Sequence, residues 1–222
     1  MRILRISFAC TLALAAALAG CMGENKPAPP PIETFISSPY ADVHTFAIAP
    51  AINLSGSRDF DQLAVSDSLF AELQQVSGLN VLPLNRTLFA MRQLGIRSID
   101  DPAQAQKIAE SLGANGLIVP AVTAYDPYNP PMIGMILQVY TPRKSPTAPP
   151  EKQPVSQAGA VFNATNQSVL RELRDFARGR TQVDSALGDQ KFLMDSDLYL
   201  RFVSHAMVRR LMEVERARVS GR

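Results

Sequence analysis

The 222 residues carry 22 lysines and arginines against 20 aspartates and glutamates, a formal charge of +2. A chain so near neutrality lacks the electrostatic footprint of a nucleic-acid binder. The length suits one domain of ordinary size or two small ones. In chain order, the first residues read as an address before they read as a fold. Arg2 and Arg5 supply a positive start, and Ile6 to Leu18 form an apolar core interrupted only by Ser7 and Thr11. Such a run is the length of a signal peptide and too short to span a bilayer comfortably.

Small residues then lead to Leu18-Ala19-Gly20-Cys21. This tetrapeptide resembles the lipobox of bacterial lipoproteins, and the resemblance implies cleavage before Cys21 once its sulfur carries a diacylglyceryl group. It implies acyl chains enough for durable attachment, since each buried methylene contributes ~0.8 kcal/mol. Met22 is not the aspartate that retains some lipoproteins in the inner membrane, which favours the outer membrane, facing the periplasm. The alternatives are an ordinary cleaved signal with an incidental Cys21, or a buried first helix. With residues 1–20 removed, Arg2, Arg5 and Cys10 leave, and the formal charge falls to zero. A lipidated Cys21 then leaves no free thiol and no disulfide, so stability must come from an apolar core.

Residues 21–41 form a tether rich in proline, including Lys26-Pro27-Ala28-Pro29-Pro30-Pro31. A semi-extended spacer of this kind reaches ~3 Å per residue. A proline-recognition motif is the other reading of the same residues. An α/β domain is expected over 42–222. Val43 to Asn53 reads as a first strand, and a helix follows from about Asp59 to Ser77, with Val65, Leu69, Leu73 and Val76 at helical spacing. Leu79 to Leu84 reads as a strand and Thr87 to Leu94 as a short helix. Asp101, Pro102 and Gln104 make a capping box for a helix that Gly113 ends. Asn115 to Ala124 and Met132 to Tyr140 read as strands joined by a tight turn, hence antiparallel. A proline-rich loop covers about 142–156. Ala158 to Asn163 is expected as a fifth strand, Asn166 to Arg178 as a helix, and Asp195 to Arg218 as a long final helix with core face Leu198, Phe202, Val203, Ala206, Leu211 and Val214. Together these predict a single mixed sheet of about five strands with helices packed on it.

The run FAIAPAINLSG, a helix, LNVLPLNR and then QKIAESLGANGLIVPAV is similar to the fold group of the curli-secretion lipoproteins, the lipoprotein activators of penicillin-binding proteins, and the amino-terminal domain of TolB. The likeness covers roughly Val43 to Tyr140. It implies a scaffold for protein contacts at the cell envelope, with no catalytic residues to carry over.

The residues themselves point away from catalysis. After the leader only His44 and His205 are histidines, and no G-x-S-x-G turn, H-x-x-x-H pair, cysteine pair or phosphate-binding loop is present. No cofactor is expected. Three features remain as binding candidates. Tyr125, Asp126, Pro127, Tyr128 and Asn129 lie in a proline-stiffened turn suited to an interface, or to covering the core edge. Arg171, Arg174, Arg178 and Arg180 read as a solvated helix face or an anion site. Arg209, Arg210, Arg216 and Arg218 complement a helix C-terminus, or meet anionic polymer or headgroups. The expected partners are the membrane, through Cys21, and another envelope protein, with the oligomeric state open. A periplasmic small-molecule or glycan module is the alternative function, and an envelope hydrolase the third.

Overall fold

The computed structural model describes residues 35–145, 147–180 and 188–221. The expected leader, Cys21 and the tether as far as residue 34 lie outside the described residues. Among them no helix is long and apolar enough to cross a membrane.

β1 (His44–Ile48) and β2 (Ile52–Asn53) divide what the sequence presents as one strand. Pro50 sits between them and has no N–H to offer a ladder. α1 (Gln62–Leu73) starts where the Asp61 carboxylate accepts hydrogen bonds from the N–H groups of Leu63 and Ala64 at 2.9 and 3.0 Å. β3 (Leu79–Leu82) stops at Pro83, and α2 (Leu84–Gln93) begins at once, three residues earlier than the sequence suggests. α3 (Pro102–Leu112) has the expected punctuation: Asp101 caps Ala103 N–H, Pro102 opens the first turn, and Gly113 takes the left-handed conformation at φ 62°. Gln104 reaches back one residue further than a capping box requires, accepting from Asp100 N–H at 2.9 Å.

β4 (Gly116–Asp126), β5 (Met132–Tyr140) and β6 (Ser156–Asn163) follow as an antiparallel meander. Then come α4 (Gln167–Arg180), a short α5 (Gln190–Met194) that the sequence does not announce, and α6 (Ser196–Ser220), capped by Asp195. The six-stranded sheet has the order β3-β1-β4-β5-β6, with β2 beside β4. β1 pairs parallel with β3 and β4. The result is the mixed-sheet α/β architecture expected.

Strand alternation sends side chains to two cores. Phe46, Ile48, Ile118, Val122, Met135, Leu137 and Phe162 meet α1, α4, α5 and α6. Ala47, Ala49, Leu117 and Val119 meet α2 and α3. Gly116 is required by the first core, because a Cβ there would stand 2.5 Å from Phe46 Cε1. On α6, Phe202, Val203, Ala206 and Leu211 are buried as expected, but Val214 faces solvent and its neighbour Glu215 is fully buried. Glu215 gains partners on other elements, which no helical periodicity can reveal.

The parallel strands give the molecule two ends. At the end where β1, β3 and β4 begin, Ser37 bridges to Ser77, and the backbone N–H of Asn115 donates to Thr45 O at 2.7 Å. At the other end lies the β4–β5 turn, which eleven residues of β4 carry roughly 33 Å away from its start.

Candidate interaction site

The turn between β4 and β5 is organised from its own sequence. Asp126 accepts a hydrogen bond from Tyr128 N–H at 3.1 Å, an Asx-turn that shapes the tip. Tyr125 is half-buried and meets Phe60 edge-to-face, with ring centroids 5.7 Å apart. Tyr128 is 70% exposed, and among the described residues its hydroxyl reaches only Asp59, at 3.4 Å. The two tyrosines therefore divide the readings offered by the sequence: Tyr125 seals a core edge and Tyr128 is presented outward. Asn129 is exposed beside it.

Three carboxylates act on Tyr125. Burial raises the Tyr125 pKa, and the carboxylates of Asp197, Asp61 and Asp59 raise it further. Asp197 belongs to the first turn of α6 and Asp61 caps α1, so two helix N-termini deliver acids to the hairpin. Among the described residues, Asp59, Asp61, Asp126 and Asp197 make no ion pair. Aromatic surface beside carboxylates that make no ion pair among the described residues suits a cationic patch on a partner.

The C-terminal arginines occupy a different place. Arg209 and Arg210 both donate to Glu172 of α4, at 2.5 and 3.0 Å, and Arg210 also lies over the Phe162 ring. Arg216 donates to Ser37 O at 3.2 Å, and Arg218 to Glu215 at 2.5 Å. On α4, Arg178 pairs with Asp175, Arg174 donates to Leu170 O, and Arg171 is exposed. Arg180 makes a two-pronged bond to buried Glu72, both contacts at 2.6 Å. Most of these arginines thus serve internal acceptors.

Two buried carboxylates escape sequence reasoning. Glu72, on α1, is held by Arg180 and by His205 Nδ1 at 3.1 Å. Burial pushes its pKa up, but the hydrogen bonds from His205 and Arg180 outweigh this and leave it below the usual carboxylate value. His205 is therefore committed to a helix-joining cluster, while His44 stacks on Tyr40 with centroids 3.9 Å apart. Glu215 accepts from Tyr40, Ser156 and Arg218. Burial again opposes ionisation and the hydrogen bonds again prevail, so its pKa is lowered, whereas burial and the adjoining carboxylate push the Tyr40 hydroxyl up. The only sequence hint was an acid at a position flanked by core residues.

The fold and its tip define an α/β domain with a mixed sheet, helices on both faces and an acidic, aromatic hairpin end. No protein-family model matches the chain, and no curated protein matches it significantly. Similar solved structures include the C-terminal domain of LpoB from Salmonella enterica, at 11% identity and TM-score 0.44, covering 56% of this chain and 85% of that one. A lipoprotein from Neisseria meningitidis aligns at 15% identity and TM-score 0.42, covering 54% and 80%. A PelC dodecamer from Paraburkholderia phytofirmans aligns at 11% identity and TM-score 0.38, covering 79% and 90%.

Proposed function

We propose that the protein is a non-catalytic lipoprotein of the cell envelope, anchored by acyl groups on Cys21 to the outer membrane and facing the periplasm. In this reading residues 1–20 are the leader, 21–41 the tether, and 42–222 the domain, which belongs to the envelope-lipoprotein fold group the sequence resembles. The domain docks another envelope protein through the β4–β5 turn, acting as an assembly or regulatory factor.

One observation carries the docking surface: Tyr128 projects from a tip whose four neighbouring aspartates make no ion pair among the described residues. A polar arrangement supports this reading. Asp197, beside the tip, and Glu215, which binds Tyr40 where the chain enters, stand about 27 Å apart along α6 at 1.5 Å per residue. A tether joined at one end leaves the tip free at the other.

Two experiments test the halves separately. Labelling cells with an alkyne palmitate analogue should mark the wild-type protein and leave Cys21→Ser unmarked; equal labelling overturns the anchor. Crosslinking through a photoreactive residue at Asn129 should capture a discrete envelope protein, and Tyr128→Ala should abolish the adduct. An adduct unchanged by Tyr128→Ala overturns the docking surface.

A further inference from the structure

The longest stretch without an acid in the folded chain runs from Glu72 to Asp100, and its only charged residues are Arg86, Arg92 and Arg97. All three are exposed, and none has an ion-pair partner among the described residues. This distinguishes them from the C-terminal arginines, which are bound to Glu172, Glu215 and a backbone carbonyl. Arg86, Phe89 and Arg92 recur at three-residue spacing and so share one face of α2. Phe89 is 57% exposed, and Leu94 is exposed just beyond the helix. An open groove of about 440 Å³ lies beside them, between α2 and the Ser111–Leu112 end of α3.

The position of this face is fixed by strand register. Leu82, two residues before α2, is level with Ala47, and Ala47 with Leu117, the second residue of β4. The groove's other wall, Ser111 and Leu112, runs directly into β4 through Gly113. α2 therefore leaves the sheet where β1 and β3 end and β4 begins, roughly 10 Å along β1 from His44, on which Tyr40 of the incoming segment stacks, and roughly 30 Å along β4 from the β4–β5 turn.

We propose that this face of α2 rests on an anionic phospholipid surface, with Arg86, Arg92 and Arg97 on the headgroups and Phe89 and Leu94 at their level. The proposal rests on the anchor at Cys21. Thirteen residues separate Cys21 from Phe35, fourteen steps with a reach of at most about 50 Å, so the chain confines the domain to the neighbourhood of the bilayer. Three cations and one aromatic ring bind a charged surface weakly in free solution, but confinement by a short tether makes the contact effectively intramolecular. A lipid surface fits better than an acidic peptide because the arginines are spread along α2 and the turn after it, and of the three only Arg86 lines the groove. The consequence is orientation: α2 down, the Tyr128 tip away from the membrane.

The test uses the full lipidated protein carrying Gln93→Cys, labelled with NBD and reconstituted into vesicles. Position 93 is exposed beside Phe89; with the leader removed and Cys21 acylated it is the sole thiol. Vesicles are phosphatidylcholine alone or an equimolar mixture with phosphatidylglycerol. The expected result is flotation with both, and a blue-shifted emission quenched by doxyl lipid only in the anionic vesicles. Replacing Arg86, Arg92 and Arg97 by glutamine should abolish the shift and leave flotation intact. A label at Met194, exposed near the start of α6, should stay unshifted. Flotation without a shift at position 93 overturns the proposal and spares the anchor, as does a shift of equal size in both vesicles. Failure to float overturns the anchor itself. A shift in the anionic vesicles that doxyl lipid does not quench means burial against protein, and overturns the lipid surface.

Discussion

Replacing Arg180 by methionine keeps the aliphatic stem and removes the guanidinium that holds Glu72. That carboxylate is 1% exposed, and Arg180 supplies two of its contacts, each at 2.6 Å. What is left is His205 at 3.1 Å, too little to offset the desolvation of a buried anion. Breaking a buried pair from one side costs about 3–5 kcal/mol, a large part of the 5–15 kcal/mol that typically holds a domain. The arginine ties α4 to α1, and His205 brings in α6, so three helices lose a common fastening. Urea unfolding followed by circular dichroism should show the deficit near neutral pH. The double variant with Glu72→Gln should recover much of it, because no uncompensated charge then remains. The sign of the pH dependence is fixed as well. Without Arg180, burial is opposed only by His205, the Glu72 pKa rises, and protonation relieves the variant as pH falls. Its deficit against wild type must therefore narrow in mild acid. A deficit below about 1 kcal/mol, with no change on acidification, would mean that the pair behaves as an exposed one and would refute the reasoning.

Tyr40→Phe removes a donor to buried Glu215 and should cost about 1–2 kcal/mol, with faster amide exchange at Ser38 and Ser77, which pair in the same segment. Glu72 and Glu215 both have lowered pKa values. Their contribution is complete above the unfolded-state carboxylate pKa and is lost as pH falls through the folded ones, so the urea midpoint should drop on acidification in that window. Gly116→Ala places a methyl group against Phe46 and should lower stability by about 1–3 kcal/mol in the same assay. Asp195→Ala removes the cap that accepts from the N–H groups of Asp197 and Leu198, and should cost about 1 kcal/mol without altering the fold's circular dichroism.

Local chemistry was legible wherever one residue settles one backbone event. Asp101, Pro102 and Gly113 announce α3 because cap, first turn and left-handed exit each demand a residue type. Met132–Tyr140 was delimited by the prolines before it and Pro142 after it. Boundaries slipped where two signals compete: Pro83 ends β3 and also suits the position before a helix, so α2 starts ahead of its apolar stripe. α6 was harder, being buried on most sides from Tyr199 to Val208. Periodicity then loses its contrast, and it points Val214 inward where the fold turns in Glu215. The tyrosine turn was visible as a candidate, but its ring of aspartates was not, since Asp59, Asp61 and Asp197 come from distant positions and converge only through packing.

The Glu215 knot has a mechanical meaning. Tyr40 and Arg218 close on it from the two chain ends, and Ser156 joins them from the start of β6. Tension arriving ahead of Phe35 is first taken up by Ser37 and Tyr40, which pass it into the last turns of α6 and the far edge of the sheet. β1, four residues further on and central to the ladder, is thereby spared from being unzipped strand-first. The molecule carries its own strain relief, as a cable does where it enters a plug.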